Sequence, residues 1–131
     1  MALTADRNTP MEAGELVSVP VAAGVKIFAG SLVVANATGF AAPGSTALAL
    51  TYLGRAAAQV DNALGANGAA VVNVRRKKAF KFANSATDPV TQASLGKVCY
   101  IVDDETVSAT SGTATQSAAR IVLGLDSSGV W

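Results

Sequence analysis

The chain contains no histidine and a single cysteine, Cys99. Without histidine there is no Ser-His-Asp or Cys-His arrangement and no imidazole acid–base catalyst. One cysteine excludes an intrachain disulfide framework, and a Cys/His zinc site cannot be assembled. Charge is scarce: 15% of residues are charged, against about 25% in an ordinary soluble domain. Lys+Arg 10 and Asp+Glu 9 leave a formal net charge of +1, which argues against a global footprint for nucleic acid or a membrane surface. No uninterrupted hydrophobic run is present. Residues 16–37 approach the length of a bilayer span, but Pro20, Gly24, Lys26, Gly30 and Ser31 punctuate them, which is the signature of strands and turns. Met1 to Gly14 is polar, carries both charge signs and lacks the apolar stretch of a targeting segment. The expectation is a protein with no membrane partner and a thiol that needs no oxidising compartment.

What is abundant is small and apolar. Half of the residues are hydrophobic but only 5% are aromatic, because alanine and valine dominate. Small side chains bury little area, whereas ordering each residue costs roughly 1–2 kcal/mol of backbone entropy. A length of 131 residues suits one domain with a thin core. Such a chain is expected to gain stability from assembly, and a sparsely charged surface fits that expectation. Biased composition without assembly is the alternative.

Alternation at period two organises the chain. Residues 1–14 read as an irregular arm and 15–131 as a single β domain. From Glu15 to Ala22, Val17, Val19 and Val21 share one face, and Pro20 marks an edge strand or a bend. Further strands are expected at 25–29, 31–36 and 40–42. Thr51-Tyr52-Leu53-Gly54 reads as a strand running to a glycine bulge. Asn67-Gly68 predicts a type I′ hairpin turn leading into a strand over 69–74. A strand over 79–83 would place Phe80 and Phe82 on one face. Asp88, Pro89 and Gly96 have the spacing of a helical turn with Asp88 as N-cap. Lys97 to Val102 is the strongest strand, apolar on both faces, and Thr106-Val107 pairs back on it. Residues 108–118 form a Ser/Thr/Ala/Gly loop with nothing to bury, and strands follow at 120–125 and 130–131. Many short strands separated by glycine turns predict an all-β chain: a small β-sandwich or jelly-roll-like barrel.

Few residues promise chemistry. Arg75, Arg76, Lys77, Lys78 and Lys81 make up half of all basic residues. They are either a docking patch for an anionic surface or a solvated strand edge that discourages aggregation. In a continuous strand Arg76 and Lys78 would share the face of Val72, Val74, Phe80 and Phe82, so a turn or bulge near Arg76 is expected. No aromatic platform other than Phe80 and Phe82 interleaves the cluster, which speaks against specific nucleic-acid binding. Asp103-Asp104-Glu105 reads as a solvated strand end, and a hard-cation site or a pairing with a neighbour's basic cluster is the alternative. Cys99 reads as a buried structural thiol. Ser94 and Lys97 match a Ser-x-x-Lys spacing of some hydrolases, without the accompanying motifs. No catalytic, cofactor-binding or metal-binding set emerges. Trp131 either closes its own core or anchors on a neighbour.

The run Gly96-Lys97-Val98-Cys99-Tyr100-Ile101-Val102-Asp103-Asp104, the Ser/Thr loop, Ile121-Val122-Leu123-Gly124 and the closing Gly129-Val130-Trp131 resemble the capsid cement, or head decoration, proteins of tailed bacteriophages. Ala23 to Ala35 is similar to their first glycine-bracketed strands. The resemblance covers residues 16–35 and 54–131, and the basic cluster carries none of it. It implies a non-enzymatic module on the outer surface of a virion, assembled in the host cytoplasm. Such a module binds the major capsid protein and copies of itself, as a homodimer or homotrimer, and reinforces the shell. The rival expectations are a carbohydrate-binding β-sandwich of a virion surface protein, or another β-rich head or tail component. The first needs an aromatic platform, for which Tyr52, Tyr100 and Trp131 are too scattered in the sequence. A small hydrolase using carboxylates or the Ser94/Lys97 pair is a more distant rival.

Overall fold

Leu32-Val33-Val34 presents apolar side chains to both faces of a strand, so it needs cover on both sides. A computed structural model, which describes residues 2 and 4–131, supplies that cover. Strand β3 (Leu32–Ala35) lies inside a five-stranded sheet with β1 (Leu16–Pro20), β4 (Ala41–Pro43), β5 (Thr51–Ala56) and β7 (Val71–Arg75), in the order β1-β7-β5-β3-β4. On one face Val33 joins Val72, Val74, Ala41 and Ala56. The ribbon of β2 (Val25–Ile27) and β6 (Val60–Asn62) roofs that face through Ile27. On the other face Leu32 and Val34 meet Cys99, Ile101, Val107 and Val122. Cys99, Ile101 and Val107 come from a second sheet, order β11-β9-β10-β8, built from β8 (Ala83–Asn84), β9 (Val98–Ile101), β10 (Thr106–Ser108) and β11 (Ala118–Ile121), and Val122 directly follows β11. A hairpin of β12 (Leu125–Asp126) and β13 (Gly129–Val130) closes one end, where Phe82 bridges Val130. The fold is a small all-β sandwich-like one.

The alternating valines behave as their spacing predicts. Val72 and Val74 are buried while Val71, Asn73 and Arg75 are exposed. Pro20 ends β1, which pairs with β7 alone and is a sheet edge. Opposite β3, Val33 faces Gly54 and Val34 faces Tyr52, so Leu53 is the extra residue of a β-bulge. At Lys77 the backbone takes φ 59°, and Arg76 N–H donates to Glu15 O at 2.7 Å. Strand β7 therefore stops at the basic cluster, and Phe80 and Phe82 start from a new direction.

Several local expectations are corrected. Asn67-Gly68 does not join two paired strands. Only Gly68 has positive φ, and tertiary bonds fix the turn: Asn67 Oδ1 accepts from Ala23 N–H at 2.7 Å and Gly68 N–H donates to Val21 O at 2.9 Å. The short helical turn is a 3₁₀ turn at Gln92–Ser94 capped by Thr91. Asp88 is drawn away from it because its carboxylate accepts from the Thr110 N–H and hydroxyl at 2.9 and 2.6 Å. Strand β9 is one-sided, with Cys99 and Ile101 buried but Val98 43% exposed. The 108–118 loop does bury polar groups. Ser108 donates to Gln116 Oε1 at 2.9 Å, and Ser117 links Ala47 O and Leu50 N–H. The last long strand spans Ala118–Ile121, earlier than expected.

Candidate functional site: a cation-rimmed apolar cleft

The second sheet covers only the β3–β5 end of the first. Where cover runs out, the turn after β7, strand β11 and the C-terminal hairpin enclose a cleft of about 370 Å³, within the range of ordinary ligand and peptide pockets. Phe80 and Phe82, which alternate in sequence, both line it, with Ile121, Leu123 and Trp131. Arg76, Lys77, Lys78 and Arg120 supply the cations. No acidic side chain lines it among the described residues. A shallower cleft between Leu50–Tyr52 and Ala118–Arg120 continues it, sharing Tyr52, Ala119 and Arg120.

Four of the six residues singled out from sequence thus meet in one place: Arg76, Lys77, Lys78 and Trp131. Arg75 ends β7 outside the cleft, exposed beside Leu16 and Arg55 in the sheet register. Lys81 is committed to its own chain. Its ammonium donates to Ser128 Oγ at 2.7 Å, pairs with Asp126 at 3.7 Å and lies 5.5 Å from the Trp131 ring centroid. Lys78 pairs with Glu15 at 3.5 Å. Arg76 is half-buried, and its Nε is buried without a hydrogen-bond partner.

Trp131 both leans on its own chain and faces outward. It is 44% exposed, and its Nε1 donates to Asp126 at 3.3 Å. Hydrogen bonds from the Ser128 hydroxyl and N–H, then from Trp131, with Lys81 close by, hold the Asp126 carboxyl down at about 2. A depressed carboxyl stabilises the fold above the ordinary carboxylate range, and that contribution is lost as pH falls through the folded value. Trp131 is the only tryptophan, so its emission should titrate with a midpoint of about 2, and Asp126→Asn should abolish the step. A midpoint at the ordinary aspartate value of about 3.9 contradicts the hydrogen-bonded hairpin.

The reactive-group candidates are spent on structure. Cys99 is 6% exposed, and its thiol donates to Arg120 O at 3.2 Å. Burial pushes that thiol's pKa up, away from a nucleophile's. The Ser94 hydroxyl accepts from Thr91 N–H at 3.2 Å, and no hydrogen bond joins Ser94 Oγ to Lys97 Nζ among the described residues. The acidic run is a tight turn and not merely a solvated end. Asp104 O accepts from Leu32 N–H at 2.7 Å and its carboxylate from the Ser31 hydroxyl at 3.2 Å, which ties the second sheet to β3.

Sequence reading missed Arg120 and the placement of Tyr52, which β9–β11 pairing and the β5 bulge bring to the basic turn. Tyr52 and Trp131 line one cleft despite their separation in sequence, whereas Tyr100 does not. Cations already sit over both rings, Arg120 at 5.6 Å from the Tyr52 centroid and Lys81 over Trp131. Burial raises the Tyr52 pKa, with Arg120 opposing.

Comparison of the chain with protein-family models, curated proteins and solved structures finds no match. Among the described residues no helix is long and apolar enough to cross a membrane.

Proposed function

We propose that the chain is a non-enzymatic virion structural protein that binds the outer surface of a phage capsid and reinforces contacts between major capsid protein subunits. The observation that carries this reading is the open, cation-rimmed apolar cleft together with the surface that extends it. Ile121 is 55% and Leu123 65% exposed beside Trp131. Aromatic and arginine side chains around an apolar floor are what protein interfaces enrich. The segments that resemble cement proteins, Gly96 to Asp104, Ile121 to Gly124 and Gly129 to Trp131, supply one wall of this cleft. Attachment is multivalent: a lattice offers many equivalent sites, so modest contacts at each sum to strong retention.

The test is salt-dependent attachment to undecorated heads of the phage that encodes the chain. Reversing Arg75, Arg76, Lys77 and Lys78 to glutamate should weaken co-sedimentation at least tenfold at low salt and less at high salt, because screening shortens the reach of surface charge. Equal binding of the variant and the unmodified chain at both salts removes the basic turn from docking. The carbohydrate-binding alternative draws on Tyr52 and Trp131 lining the same cleft. A cation already lies over each of these rings, and a positive glycan array would favour this alternative.

A further inference from the structure

The cleft and its shallower continuation form one groove running from Leu50 to Trp131. That shape suits an extended segment better than a compact ligand. The strands beside it are open to such a segment. β11 is the edge of its sheet, and β7 pairs with β5 only at Arg55 and Ala56, leaving Thr51 to Leu53 without that neighbour, whereas Gly54 already abuts Arg75. The groove also states what chemistry it takes. Lys77, Arg76 and Arg120 form no salt bridge among the described residues, and the buried Arg76 Nε lacks an acceptor. Rim cations without an acidic partner favour an occupant that brings a carboxylate to them. The aromatic floor calls for an adaptable apolar side chain next to that carboxylate.

Met11-Glu12 in the N-terminal arm has this pairing. Met11 is 98% exposed, and a methionine packs well against aromatic rings. The arm leaves the domain at the cleft mouth: Glu15 is bound to Arg76 N–H and Lys78, and Gly14 lies against the Lys77 side chain. Yet residues 4–13 are all exposed. In the single chain the arm therefore lies outside its own cleft, none of whose lining residues it supplies. Pro10 limits the ordering entropy of the arm, and seven residues from Asn8 span roughly 20 Å when extended.

We infer that Met11-Glu12 of one copy seats in the cleft of a second copy, Met11 against Phe80, Phe82 and Trp131, and Glu12 against Arg76, Lys77 and Arg120. The exchange is reciprocal, so each arm fills the other's cleft. It concerns the free chain and is tested without capsids, so its failure is distinct from failure of the shell reading.

The experiment is sedimentation velocity on full-length chains over a broad concentration series. The unmodified chain should self-associate. An arm variant, Met11→Asp with Glu12→Lys, and a cleft variant, Lys77→Glu with Arg120→Glu, should each associate at least tenfold more weakly. Their equimolar mixture should recover association, because the intact arm of one meets the intact cleft of the other. A monomeric unmodified chain, an arm variant that associates undiminished, or, with a folded cleft variant, a mixture no better than its components overturns the exchange. The arm substitutions lie on exposed residues outside every strand, so that arm of the test holds even where the cleft variant unfolds.

Discussion

Replacing Gly54 by alanine should cost about 3–4 kcal/mol of stability, on the order of 10–15 °C in the unfolding midpoint of a domain this size. Gly54 is buried at the β5 bulge with φ 154°. A methyl group there would collide with the Arg75 carbonyl oxygen and meet Val74 Cγ1 at 3.0 Å. Relief requires parting β5 from β7 where they pair, at Arg55 and Ala56. That movement opens the face on which Val72, Val74 and Ala56 pack, and it shifts the basic turn that rims the cleft. Gly24 is the control. It has φ 72° but nothing within 4 Å of an added methyl, so Gly24→Ala should cost only the left-handed backbone penalty of about 1–2 kcal/mol. Urea unfolding of the two variants checks the contrast. Equal losses would mean that close strand approach is not what Gly54 serves.

The second large loss is expected for Asn62→Ala, about 2–3 kcal/mol. Asn62 is 4% exposed. Its Nδ2 donates to Ala22 O at 2.8 Å and to Ala66 O at 3.0 Å, and its backbone carbonyl accepts from Gly24 and Gly65 N–H at 3.1 Å each. One side chain therefore stitches the 60–70 loop to the link between β1 and β2, and so holds the ribbon that roofs Val33. Alanine leaves the buried Ala22 carbonyl without a donor and opens a void beneath the ribbon. A loss below about 1 kcal/mol, the level of an ordinary surface hydrogen bond, would show that water replaces the amide without penalty.

Period-two alternation made much of the β character readable, because side-chain direction in a strand is a local property. Val17/Val19 and Val72/Val74 bury the face their spacing indicates, and Leu32-Val33-Val34 is covered on both sides. What local pattern does not carry is the identity of the cover. Val98 looked as apolar as Cys99 and Ile101, but its face is left 43% exposed. Asn67-Gly68 carries the strongest short-range hairpin signal, but Ala23 and Val21 claim its polar groups. Asp88 is a good N-cap that Thr110 captures from 22 residues away. The candidate site divides the same way. The basic turn is contiguous in sequence and visible there, whereas the cleft exists only once β11 brings Arg120 and the C-terminal hairpin brings Trp131 beside it.

The most direct test of the shell reading is a heat or osmotic challenge of undecorated heads with and without the purified chain. The account predicts saturable binding at a fixed ratio to the major capsid protein and fewer ruptured particles at saturation. Heads, expanded and unexpanded, that bind none of the chain across several salts, or that rupture equally with it bound, would contradict the account.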